Sequence, residues 1–174
     1  MGNTAKPLRH TGGEKPAGKS ITLPALANLT EAEKKSRLLQ WANIRHFVPD
    51  EFDSPDQPGS GILMNIEFIM VLDAIRHDCG FAFVVKPPSG SGFRTPGHNK
   101  KVGGVSNGAH TKAVAVDTRC LDAEQRFKIV TAAIKHGVKR IGIGENFIHL
   151  DMDYSLPQGV MWLYTVKAKA NSKT

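Results

Sequence analysis

Cysteine is scarce in this chain of 174 residues. The two that occur, Cys79 and Cys120, stand far apart and form no CxxC pair, which excludes a thiolate zinc site and a disulfide framework and leaves buried free thiols as the expectation. Long apolar runs are missing too. No stretch approaches the roughly 18 to 20 residues that would span a bilayer, and the N-terminal MGNTAKPLRHTGGEKPAGKS lacks the apolar core of a secretory signal. The expectation is a chain that is cytoplasmic as synthesised, with no membrane partner. Acidic residues are outnumbered, 16 against 23 Lys and Arg, for a formal charge of +7. That excess sits at the ends: residues 1–37 carry seven Lys and Arg against three acids, residues 167–174 carry three Lys and no acid, and residues 38–166 carry thirteen of each. The neutral body has no basic stripe with interleaved aromatics, so a specific nucleic-acid partner is not expected.

What remains divides into three parts. Residues 1–37 form a basic, largely disordered arm with a possible helix start at Thr30, where Glu33 completes a capping-box pattern. Residues 38–166 form the folded domain, and residues 167–174 a basic tail. Inside the domain, residues 49–61 read as a Pro/Asp/Gly loop. Asn65 caps a largely apolar helix over 66–78 that Gly80 ends, expected to be buried on more than one side. Residues 81–85 (FAFVV) read as a buried strand, 86–110 as glycine-rich loop and turns, and 111–117 as a strand. A further helix over 123–136, capped by Asp122 and closed by Gly137, presents Phe127, Val130 and Ile134 as one stripe. RIGI, FIHLD and VMWLYT supply three more strands. Strands joined by short turns and preceded by helices predict an α+β domain with a mainly antiparallel sheet.

Seven histidines are present. His10 lies in the arm, and His77 and His136 end helices, where an imidazolium complements the carbonyl dipole. His110 stands in a Gly/Asn turn with Asp117 seven residues later at the end of a strand, so an imidazole and a carboxylate can converge on one ion. The spacing alone is weak, because His46 and Asp53 share it in an acidic loop with no third ligand in prospect. His149 strengthens the case. Flanked by Ile148 and Leu150, it is the polar residue on its strand face, either a hydrogen-bonded core residue or a ligand. Two His and one Asp would leave a fourth tetrahedral position open, the catalytic rather than the structural arrangement.

The stretch SGFRTPGHNKKVGGVSNGAHTKAVAVD, followed by RIGIGENFIHLD and VMWLY, resembles the zinc D-alanyl-D-alanine carboxypeptidase group with the hedgehog/DD-peptidase fold, in particular its small phage-type members. FVPDEFDSPDQPGSG and the helix after it are similar as well, so the likeness covers about residues 44–165. The resemblance implies that His110, Asp117 and His149 bind Zn²⁺, and that Arg94 polarises a peptide carbonyl or holds a substrate carboxylate. It also implies peptidoglycan stem peptides as substrate, cut by carboxypeptidase or endopeptidase action after release to the cell wall or delivery in a virion.

The chain departs from the group's pattern at Gly108 and Ala113, where a Ser before and a Gly after the first zinc histidine are usual, and in the KPPSGSG before Phe93. A catalytic base is usual two or three residues before the second zinc histidine, yet Phe147 and Asn146 stand there. Asp151, in register with His149 on one strand face, is the better candidate, as base or as a group orienting a ligand. Glu145, in the preceding turn, is the second, whereas Asp153 is expected to be structural or exposed. A non-catalytic zinc-containing module that binds the cell wall or builds a virion is the alternative function.

Overall fold

Residues 25–82, 84–85 and 92–164 are described by a computed structural model; the arm before residue 25 and the tail 167–174 lie outside them. Helix α1 (Glu31–Gln40) starts on the capping box: the Thr30 hydroxyl accepts from the Glu33 N–H at 3.2 Å, and the Glu33 carboxylate accepts from the Thr30 N–H at 2.7 Å. Helix α2 (Ile66–Cys79) is capped by Asn65, whose side chain accepts from the Phe68 N–H at 2.9 Å, and it ends at the left-handed Gly80. Its buried face carries Phe68, Ile69, Leu72 and Ile75, whereas Met70 is exposed. The helix therefore buries one broad face, a narrower burial than its apolar composition predicts.

Helix α4 (Ala123–Lys135) keeps the expected Asp122 cap, which accepts from the Gln125 N–H at 2.7 Å. Of the expected stripe only Val130 faces the core, partly buried against it. Phe127 is 72% and Ile134 58% exposed, and the buried residues are Ile129, Ala132 and Ala133. α4 packs against α2, and the short side chains of Ala132 and Ala133 let the two helices approach where a phenyl ring would hold them apart. The segment 86–110, read as loop, contains helix α3 (Pro96–Lys101), with Thr95 capping the His98 N–H at 3.0 Å and proline in the first turn.

Among the described residues four strands form one mixed sheet in the order β1-β3-β2-β4: β1 (Ala115–Arg119), β2 (Arg140–Ile143), β3 (Phe147–Asp151) and β4 (Val160–Leu163). β3 pairs antiparallel with both β1 and β2, and β4 joins β2 in parallel. The expected strand 111–117 begins only at Ala115, because the chain from Gly108 onward is coiled in turns and Ala113 takes a left-handed φ of 57°. That conformation accounts for glycine being usual at this position in the resembling group. FAFVV is not a strand among its described residues; Phe83 lies outside them. Val85 is still buried, and the Val84 carbonyl accepts from the Arg119 N–H at 2.9 Å, so the segment runs past the end of β1 without joining a ladder.

Alternation along each strand gives the sheet two unlike faces. Val116, Ile141, Ile148 and Leu150 lie on one face, each 2% exposed or less, within the same core as the residues of α2 and α4. The register aligns Asp117, His149, Gly142 and Trp162 in one row across all four strands of the other face. The neighbouring row on that face carries Asp151 and Arg140.

Candidate metal centre

His110, Asp117 and His149 converge. One ligand atom from each lies within 4.8 Å of the other two, although the residues come from a turn and two different strands. Asp117 Oδ1 is 3.3 Å from His110 Nε2 and 2.8 Å from His149 Nδ1. Its other oxygen, Oδ2, accepts from the Arg94 guanidinium. The two carboxylate oxygens thus have separate tasks, one facing the histidine pair and one held by arginine.

Each ring is held from its far side. His110 Nδ1 lies 2.8 Å from the Gly92 carbonyl, which can only accept, so Nδ1 carries the proton and Nε2 presents a lone pair. Gly92 is required there: a Cβ at this position would lie 2.6 Å from the Phe52 backbone and push the carbonyl out of place. His149 Nε2 lies 3.1 Å from Asp151 Oδ2, leaving Nδ1 toward Asp117. Asp151 is sealed at 1% exposure, and its carboxylate also accepts from Arg140 Nε at 2.9 Å and from the Asp153 N–H at 3.0 Å.

The electrostatics follow from this arrangement. Burial alone would raise the Asp117 pKa, but the adjacent His110 and His149 prevail and hold it well below the ordinary carboxylate range. Burial pushes His110 down, outweighing the pull of Asp117, so its ring favours the neutral form that ligates a metal. Burial also opposes charge on His149, yet the carboxylates at both ring nitrogens outweigh it and raise its pKa. Two imidazole nitrogens and one carboxylate oxygen, each with its remaining polar atom tied to a separate partner, form a donor set that fits a tetrahedral divalent cation with one open position.

The three side chains line a cleft of about 1130 Å³, together with Arg94, Arg119, Arg140, Asn146, Trp162 and Tyr164. Trp162 packs on His149 with ring centroids 5.5 Å apart. Gly142 makes room for it, since a Cβ there would stand 2.5 to 2.9 Å from the Tyr164 and Trp162 rings. Gly144 serves Phe147 in the same way, with a Cβ falling 2.2 Å from that ring.

The family model for Peptidase M15 matches residues 45–151. The chain belongs to the peptidase M15 family. This is the zinc D-Ala-D-Ala carboxypeptidase family, and membership makes the chain a metallopeptidase by descent. No curated protein and no solved structure matches the chain. The matched span contains α2, α3, α4, the first three strands and all three converging residues.

The other residues singled out in the sequence are dispersed. Arg94 lines the cleft, bound to Asp117. Glu145 is not among the lining side chains, and its backbone carbonyl accepts from Arg126 at 2.8 Å. Asp153 is buried and structural, accepting from Lys112 at 2.7 Å and from the Ser155 hydroxyl at 2.6 Å. His46 stacks on His77, while Asp53 accepts from the Gly59 and Gly61 N–H groups, so that pair builds no site. Cys79 and Cys120 are free and buried, and burial pushes the Cys79 thiol up to about 11. Sequence reasoning missed Arg119, Arg140 and the aromatic pair Trp162 and Tyr164. Gly142 of RIGIG, where a Cβ would meet both rings, is the signal that could have found the aromatic pair.

Proposed function

We propose that this M15 member is a zinc-dependent peptidase hydrolysing D-amino-acid-containing bonds in the stem peptides of bacterial peptidoglycan, in phage- or prophage-associated cell-wall lysis. The observation that carries this reading is the convergence of His110, Asp117 and His149 within 4.8 Å on the wall of an open cleft. These three would hold the zinc. When bound, zinc supplies Lewis acidity for peptide hydrolysis. His110 is oriented by the Gly92 carbonyl, and Arg94 fixes the carboxylate of Asp117 while lying in the cleft wall, where its planar fork suits an oxygen that gains negative charge.

Asp151 acts on His149 as an orienting group. A carboxylate at 1% exposure, engaged by His149, Arg140 and a backbone N–H, is committed to those partners and poorly placed to take a proton from the cleft. Glu145, outside the cleft lining, takes no part. The protein reaches its substrate at the cell wall after release at lysis or from a virion.

Purified protein should carry about one zinc per chain, and His110→Ala should lose both the metal and hydrolysis of defined muropeptides followed by mass spectrometry. Unchanged hydrolysis in that variant would overturn the reading. One observation favours a second: the two carboxylates lining the cleft, Asp117 and Asp151, are both held by arginines. That arrangement suits a cell-wall-binding or virion module without hydrolysis, which would be retained on peptidoglycan while leaving muropeptide masses unchanged.

A further inference from the structure

Among the described residues three arginines line the cleft, and two of them are neutralised: Arg94 by Asp117, and Arg140 by Asp151, with a further bond to the Pro157 carbonyl at 2.5 Å. Arg119 differs. Its side chain is exposed and lines the same cleft, and among the described residues its guanidinium has no carboxylate or carbonyl partner. Its backbone is well anchored, since its N–H donates to Val84 and it closes the β1–β3 ladder opposite Phe147.

Position gives this cation its meaning. Arg119 follows Asp117 by two residues on β1, so both project onto the same face, with their Cα atoms roughly 7 Å apart along the strand. An extended peptide advances about 3.3 to 3.6 Å per residue. A substrate whose scissile carbonyl sits at the His110–Asp117–His149 cluster would therefore bring a group one or two residues beyond that bond within reach of Arg119. An unpaired guanidinium is a planar five-donor fork that matches a carboxylate bidentately.

We infer that Arg119 is the specificity-determining residue that binds a substrate carboxylate one or two residues from the scissile bond. The inference rests on the peptidase reading and deepens it. The carboxylate has two sources: the terminal α-carboxylate, which would make the enzyme a carboxypeptidase, or an acidic side chain within the stem peptide, which would permit endopeptidase action.

Calorimetric titration of the full chain tests this, with the probes checked by mass spectrometry for cleavage during the titration. The probes are acetyl-D-alanyl-D-alanine, its C-terminal amide, and an amidated peptide with an internal acidic side chain. The unaltered protein should bind one of the two carboxylate-bearing probes at least tenfold more tightly than the simple amide, and which probe it prefers identifies the source. Arg119→Gln should abolish that preference with zinc content unchanged, and Arg119→Lys should restore part of it. In turnover of the preferred substrate, R119Q should raise KM far more than it lowers kcat. A preference that survives R119Q, or no preference in the unaltered protein, would overturn the inference. Failure of the peptidase reading registers separately, as loss of zinc binding or of muropeptide cleavage in the unaltered protein.

Discussion

The two faces of the sheet are built from the same strands, residue by alternate residue, yet they are chemically opposite. One face presents Val116, Ile141, Ile148 and Leu150 to the helical layer and is closed to solvent. The other carries Asp117, His149, Asp151, Arg119 and Arg140 around an open cleft. The apolar face stabilises by area removed from water, which depends on volume more than on atomic detail. The polar face has to satisfy each buried atom with a named partner, because unpaired buried charge is costly. Stability and chemistry are therefore separable by mutation, even between residues adjacent in sequence.

The sharpest separation is expected at His110 and its neighbours. His110→Ala should abolish zinc binding and hydrolysis while moving the urea midpoint far less than a core substitution does. Ile148→Ala, one residue from His149, should do the reverse. Its loss of about 2 to 5 kcal/mol in unfolding free energy would be read from denaturant curves, with zinc content per folded chain preserved. If I148A lost zinc while remaining folded, the two faces would be coupled.

A weaker effect is expected one partner removed from the ligands. Asp151→Asn should lower zinc affinity by roughly 10- to 100-fold, measured by competition with a chelator, without abolishing it. An effect as large as that of H110A would show that Asp151 does more than orient His149.

The smallest effect belongs to the helical side. Asp78 on α2 accepts from Lys135 Nζ at 2.7 Å and lies 2.8 Å from His136 Nε2 at the end of α4. Those hydrogen bonds lower its pKa from the ordinary 3.8 to about 2. A carboxyl depressed by folding adds stability above its unfolded pKa and loses it as pH falls through the folded value. The urea midpoint of the unaltered protein should thus exceed that of Asp78→Asn slightly above about pH 4, and the two should converge near pH 2. Because the pair is exposed, the difference should shrink in high salt. Zinc affinity should not respond to D78N at all.

Much of this architecture is legible in particular residues. The Thr30 and Glu33 box, the Asn65 and Asp122 caps and the left-handed glycines Gly80 and Gly137 locate three helices, because capping is local chemistry between residues a few positions apart. Alternation in FIHLD puts His149 and Asp151 on one face for an equally local reason. The failures share one cause. Whether Phe127 or Ala133 faces the core depends on how closely α2 approaches, and whether FAFVV joins a ladder depends on what lies beside it. Neither neighbour is encoded nearby in the chain.

The residues of the candidate metal centre divide along the same line. Sequence alone determined that two imidazoles and a carboxylate were available on elements able to bring them together, since residue type and strand period are properties of short segments. Only the tertiary structure decided what each remaining atom does: that Asp117 divides its oxygens between the histidines and Arg94, that Asp151 is buried against His149, and that Arg119 has no carboxylate partner among the described residues. Partners supplied by distant segments decide the protonation and purpose of a side chain, because hydrogen bonds and ion pairs act only at contact.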